Sequence, residues 1–360
     1  MRKRGDNKQR ERIERRQLNR GADREQRQAQ RHAAAIARAT HRSTPVTIPL
    51  DVFEDIVRYC DGKTLSSLAS TCHFISACVA KEVQWREANV PHVPRAYLRM
   101  YEEDYEFGDA TFPRPRGIQI NMMPFHLEDA AGTIPAECHG YLAFIRQCVG
   151  RSTGLAYLTI DEREVPIGES HRRGGLHIDS PTVWEELLDS EPGDAGKRFK
   201  PYALRWGFGV GRRSHRDGPW GQFEMIDGGI FFASSSAGTT RVYPNLILNP
   251  AMVDAHGSIK GYRHLLGDPI ELDAGEVCWI TDKTPHESLP LRRKRPGQKF
   301  SFRQFFRLVT GPVDVWFSKH NTPSPFGVLP DCVVTDVDKF EVVARGDGKR
   351  TLYSEIVNYS

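Results

Sequence analysis

Gly174-Gly175-Leu176-His177-Ile178-Asp179-Ser180 is the stretch on which the reading of this chain turns, and Thr284-Pro285-His286-Glu287-Ser288 is its distant partner. On extended backbone, residues i and i+2 face the same side. His177 and Asp179 can therefore reach one point together while Leu176 and Ile178 turn toward a core. The spacing by itself carries little. With 13 His and 23 Asp in 360 residues, chance supplies about 0.8 His-x-Asp pairs, and two occur, the second being His215/Asp217. Context separates them. Arg212-Arg213-Ser214-His215-Arg216-Asp217-Gly218-Pro219 is a polar, glycine-bounded loop, a poor platform for ligands. The first pair sits among apolar alternates, as a rigid site requires.

Two imidazoles and one carboxylate form the set that holds Fe(II) on one face and leaves the opposite positions open. His177, Asp179 and His286 are the candidates for that set. The alternative for the same residues is a satisfied core histidine, a turn-forming aspartate ahead of Ser180-Pro181, and a loop histidine.

Outward from this stretch the periodicity is β. Candidate strands are 174–179, 203–210, 222–233, 238–243, 269–272, 276–281 and 299–309, with Gly, Pro, Asn or Asp between nearly all of them. Short strands at that spacing argue for a jelly-roll-like double sheet. The last strand places Lys299, Ser301, Arg303, Phe305 and Arg307 on one side and Phe300, Phe302, Gln304 and Phe306 on the other. A cation pointing into a β-core is costly unless an anion meets it.

Residues 150–318 thereby resemble the 2-oxoglutarate/Fe(II)-dependent oxygenases, through "GLHID", "LDAGEVCWITDKTPHES" and a basic residue on the following strand. The resemblance implies a double-stranded β-helix in which His177, Asp179 and His286 hold iron. It also implies that 2-oxoglutarate meets an inward Arg or Lys with its far carboxylate. Arg303 is the first candidate and Lys299 the second, and Ser301 or Tyr243 could add a hydroxyl. The implied reaction is hydroxylation or demethylation of a protein or nucleic-acid substrate.

Toward the N-terminus the composition changes. Residues 1–42 carry 14 Lys/Arg against 5 Asp/Glu, so the chain's net charge of +4 leaves the remainder at −5. So little apolar surface cannot offset the entropy of ordering, and a disordered basic leader over 1–43 is expected. Its arginines fit nuclear import or nucleic-acid phosphates. From Ile48, "IPLDVFEDIVRYCDGKTLSSLASTCHFISACVAKEVQWRE" gives three short helical patterns. Residues 46–88 resemble an F-box, through "IPLDVFEDIV", "LSSLASTC" and the closing "VQW". That implies docking on the Skp-type adaptor of a cullin ubiquitin ligase through Pro49, Leu50, Ile56, Leu65, Leu68 and Cys72.

The remaining partition is a helical connecting and bracing region over 89–149, the β-domain over 150–318 and a C-terminal wrap over 319–360. Within the connecting region, 95–108 and 136–149 are expected to be helical, and "GLAYLTIDEREV" a strand. The fold class is α+β and multidomain: a small all-α bundle plus a braced double-stranded β-helix. Seven cysteines without a Cys-x-x-Cys pair argue against a disulfide framework and fit a nuclear or cytoplasmic setting. No apolar run approaches the roughly 18 residues of a membrane span. Two functions follow: an oxygenase that carries an F-box, or a non-catalytic substrate receptor that uses an oxygenase fold as a binding module.

Overall fold

The computed structural model describes residues 57–58, 60–69, 73–92, 97–99, 111–149, 153–186, 199–214, 223–254, 256–259 and 261–338. The leader and much of the F-box-like segment lie outside them. The chain divides into two compact units, one from the N-terminal residues through Asn89 with Gly261–Leu265, the other from the rest. Among the described residues, no helix is long and apolar enough to cross a membrane.

The first unit contains α1 (Gly62–Ala69) and α2 (His73–Asn89). Asp61 starts α1 by accepting the Thr64 amide at 2.8 Å, which satisfies one of the donors left open at a helix start. Leu65 and Leu68, 3% and 7% exposed, pack with Val57, Cys60 and Val79 in a small core. These are two of the residues assigned from the sequence to an adaptor-docking face, and here their side chains are buried in this core. Pro49, Leu50, Ile56 and Cys72 lie outside the described residues.

The second unit is mostly antiparallel β. Its strands are β1 (Tyr97–Arg99), β2 (Gln119–His126), β3 (Leu155–Pro166), β4 (Thr182–Glu186), β5 (Phe199–Ala203), β6 (Gly209–Ser214), β7 (Phe223–Gly228), β8 (Ile230–Ser234), β9 (Thr240–Val242), β10 (Ile270–Glu271), β11 (Cys278–Ile280), β12 (His286–Ser288), β13 (Phe300–Val309), β14 (Val315–Phe317) and β15 (Val333–Thr335). A large sheet runs β1-β11-β8-β13-β3-β2 and a small one β10-β9-β12. The architecture is mixed α/β and consistent with a jelly roll.

Alternation along the central strands explains the layering. Phe231, Ala233, Trp279, Phe306 and Leu308 face one core with Ile134, Tyr141, Phe144 and Ile145. Those partners come from the 3-10 turn Ala136–Tyr141, the helix Leu142–Val149 and the C-cap of the short helix before them. Ile230, Phe232, Cys278, Ile280, Phe305 and Val309 face the other core, with Val242 and Leu272 of the small-sheet side. Residues one apart on a strand thus serve two layers, and β8 is buried at all five positions.

Several sequence expectations are corrected. The stretch 89–149 is not only helical: β1 pairs with β11 and β2 with β3, so the β-unit begins well before residue 150. The helix expected over 95–108 is a strand where it is described, at Tyr97–Arg99. The strand expected over 222–233 breaks between Gly228 and Gly229, whose φ values are +65° and +94°. A Cβ on Gly229 would lie 2.1 Å from Nε1 of Trp279, so only glycine lets the chain turn there. The strand expected over 203–210 is likewise split, by Leu204–Phe208. The C-terminal stretch contributes β15, which pairs in parallel with β14. The expectations of β3, β13 and a helix ending near 149 hold.

Candidate metal centre

His177 and Asp179 do not stand on a regular strand, as expected from 174–179. Their segment is irregular and is pinned from three sides. His177 and His286 exchange both backbone hydrogen bonds, at 3.0 and 2.9 Å, as a directly opposed antiparallel pair does. The Ile178 amide donates to the Gly257 carbonyl at 2.9 Å, and the amides of Asp179 and Ser180 both donate to the Asp282 carbonyl at 3.0 Å. His286 opens β12, held by β9 in register with Val242. The backbone pairing itself therefore sets the two imidazoles side by side, ring centroids 4.5 Å apart.

Each imidazole is then aimed. Nδ1 of His177 lies 2.7 Å from the Gly175 carbonyl, and Nδ1 of His286 lies 2.9 Å from the Thr284 carbonyl. A carbonyl only accepts, so each Nδ1 must carry the proton and each Nε2 keeps its lone pair. Oδ2 of Asp179 is 3.7 Å from Nε2 of His286. One ligand atom from each of His177, Asp179 and His286 falls within 4.8 Å of the others. Burial, with His286 and Arg173 nearby, holds the His177 pKa well below its usual value, so the ring is neutral. Burial alone would raise the Asp179 carboxyl, but His286 and Arg307 outweigh it and hold it low. His177 as a neutral donor and Asp179 as a carboxylate are in the protonation states that a cation requires.

The face of β13 that looks toward this triad carries Arg303, Phe305 and Arg307. Nη1 of Arg307 lies 3.5 Å from Oδ1 of Asp179. Arg303 is 0% exposed. Its Nε donates to the Ser234 hydroxyl at 2.9 Å, yet Nη1 and Nη2 are buried without a hydrogen-bond partner. Burial lowers its pKa to about 10. The nearby carboxylate of Asp161 is already engaged, by Arg172 at 3.0 Å and His171 at 3.2 Å. Burial opposes that charge, but these partners prevail and hold Asp161 at about 2. Phe232 and Phe305 line the intervening space, Phe232 lying 6.1 Å from His286 and 6.5 Å from Phe305 between ring centroids.

The remaining sequence candidates fall elsewhere. Lys299 is exposed ahead of β13, and Ser301 is half-buried on the side of Arg303. Tyr243 is buried, but its hydroxyl donates to Glu287 at 3.2 Å, an anion that leaves it poorly placed to receive a second carboxylate. His215 and Asp217 lie outside the described residues. Arg307, Asp161, Arg172 and Asp282 were not singled out from the sequence. For Arg307 the signal was present, since it shares the Arg303 face of β13. For the others no spacing announces them, because they meet the site through long-range packing.

No family model and no curated protein matches the chain. Among solved structures, HygX from Streptomyces hygroscopicus with iron bound aligns over 52% of this chain and 71% of its own, at 10% identity and a TM-score of 0.26. The same protein with nickel and 2-oxoglutarate bound aligns over 48% and 63%, at 11% identity and a TM-score of 0.24. Likeness of that order decides neither fold nor site here. The strand order and side-chain geometry of this chain carry both, and its described residues include one His-Asp-His cluster able to hold a metal ion.

Proposed function

We propose that the chain is a 2-oxoglutarate/Fe(II)-dependent oxygenase, a hydroxylase or demethylase. One observation carries the reading: a preoriented His177–Asp179–His286 triad and, on the strand whose Arg307 touches it, a fully buried arginine, Arg303, whose two terminal nitrogens have no hydrogen-bond partner. The donor set fits ferrous iron, with two imidazole nitrogens and one carboxylate. The orphaned guanidinium nitrogens fit a carboxylate, which they would bind as a fork. A buried cation with two unmatched nitrogens is too unfavourable to be retained for packing alone.

In this reading His177 and His286 hold the iron through Nε2 and Asp179 through Oδ2. Arg303 receives the far carboxylate of 2-oxoglutarate and sets its direction, with Ser234 fixing the guanidinium. Phe232 and Phe305 keep water from the space between. Iron and 2-oxoglutarate, when bound, supply the oxidising power drawn from O₂. The protein positions the groups and excludes solvent.

Anaerobic titration with Fe(II), then 2-oxoglutarate, tests this. A visible charge-transfer band that appears with wild type and is lost in His177→Ala is the expected result. Absence of the band together with no His177-dependent metal retention would overturn the reading.

A further inference from the structure

Arg307 has no role in the reading above, yet it touches the triad. Its guanidinium and Asp179 share an electrostatic contact through Nη1 and Oδ1, 3.5 Å apart. The other carboxylate oxygen, Oδ2, is the one beside His286. Both side chains are only 15% exposed, and Nε of Arg307 is buried without a partner. The contact therefore belongs to the interior of the site and is not a screened surface pair.

Two consequences follow from charge and geometry. One carboxylate oxygen is held by the guanidinium, so Asp179 presents a single oxygen to a metal. An imidazole binds a metal only when neutral, so with His177 and His286 as ligands the opposite charges of Asp179 and Arg307 cancel. A divalent cation placed among them keeps both its charges uncompensated in a half-buried setting, where such charges are weakly screened. Arg303 adds a further cation on the same strand face, and Asp161 is already matched by Arg172 and Arg163. The local excess is positive, and it is what a dianion would relieve.

We infer that Arg307 couples metal binding to cosubstrate binding. It makes the triad a weak metal site alone and a tight one only when a dianionic 2-keto acid enters with the metal. This rests on the oxygenase reading and deepens it. Coupling of this kind is reciprocal, so the metal must tighten the keto acid by the same factor. Arg307 acts through Asp179 and is a positioning residue.

The test is calorimetric titration of the full chain with Ni(II), a redox-inert stand-in, with and without 2-oxoglutarate. His177→Ala serves as the blank, and melting curves check each variant. In wild type, 2-oxoglutarate is expected to tighten Ni(II) by about 100-fold. Arg307→Gln keeps an N–H for Oδ1 but removes the charge. It should bind Ni(II) alone roughly 10-fold more tightly and show coupling reduced to roughly 10-fold. Arg307→Lys keeps the charge and should couple as wild type does.

A series on wild type needs no variant to fold. Pyruvate should couple less than 2-oxoglutarate, and a neutral 2-ketoamide should not couple. The inference is overturned if Arg307→Gln binds Ni(II) alone no more tightly than wild type. It is equally overturned if the ketoamide couples as strongly as 2-oxoglutarate. In both cases the oxygenase reading stands. If wild type shows no His177-dependent Ni(II) binding, that reading fails and this one with it.

Discussion

Arg303 and Asp282 are both fully buried ionisable side chains, and each costs the folded state stability when charged. Arg303 is a cation in a core, with two of its nitrogens unmatched, and replacing such a charge by an apolar group of similar volume is often neutral or stabilising. Arg303→Met is therefore expected to raise the melting temperature of the ligand-free protein, by the equivalent of about 1–2 kcal/mol. It should also weaken 2-oxoglutarate binding by about 100-fold or more, with Ni(II) binding alone nearly unchanged. Thermal melts and calorimetry on one preparation check both halves. A destabilised variant that binds 2-oxoglutarate normally would refute the assigned role. Asp282 is 0% exposed, and burial raises its pKa to about 6 even though it accepts from the Trp206 amide and the Thr281 hydroxyl. The folded pKa lies above the ordinary value of 3.8, so the folded state binds the extra proton. The stability gained from the neutral carboxyl is fully present at low pH and is lost as pH rises through about 6. Asp282→Asn keeps an acceptor for the Trp206 amide without the charge. It should be more stable than wild type at pH 8, by up to about 3 kcal/mol, with the difference vanishing near pH 4. Denaturant midpoints across that range are the measurement, and a pH-independent difference would sink the assignment.

At the scale of elements, the site depends on a segment that is not itself a strand. Residues 176–180 are held by one backbone bond each to Gly257 and Ile259 and two each to Asp282 and His286, so disturbing one anchor shifts the ligands. Gly257 has φ +77°, and a Cβ there would lie 2.1 Å from the Ile178 carbonyl oxygen. Backbone cannot yield as a flexible side chain would. Gly257→Ala should cost at least 1–2 kcal/mol of stability and reduce metal affinity at least 10-fold, because a displacement at Ile178 moves its neighbours His177 and Asp179. Calorimetry with Ni(II) on the folded variant tests this, and wild-type affinity would contradict it. The same segment marks what the sequence could tell. The His-x-Asp spacing with apolar alternates revealed which side chains converge, because Leu176 and Ile178 are indeed buried. It could not reveal that the supports are isolated bridges, since those partners lie far along the chain. β13 was legible because its odd and even residues feed two different cores. β2 was not: four consecutive residues are buried beside a register shift between Ile120 and Met123, so no period of two appears.

For the molecule as a whole, periodicity separates helical segments at 62–89 from a β-unit after them. The boundary at residue 150 was misplaced because β1 and β2 are a short strand and an irregular one, while the helices between β2 and β3 are plainly amphipathic. Local pattern marks elements that bury one face regularly, and it is silent on strands recruited to a sheet by distant partners. The two compact units also set a thermodynamic expectation. A ligand that binds one folded unit stabilises that unit by mass action. Ni(II) and 2-oxoglutarate together, each at about a hundred times its dissociation constant, should add at least about 2.7 kcal/mol to the β-unit. For a unit of that size this corresponds to roughly 5–10 °C in melting temperature. A helical unit that does not bind them should melt where it did before, so differential scanning calorimetry should show one transition moving and the other fixed. His177→Ala should remove the shift. A shift that survives in this variant would place the ligands elsewhere than at His177, Asp179 and His286.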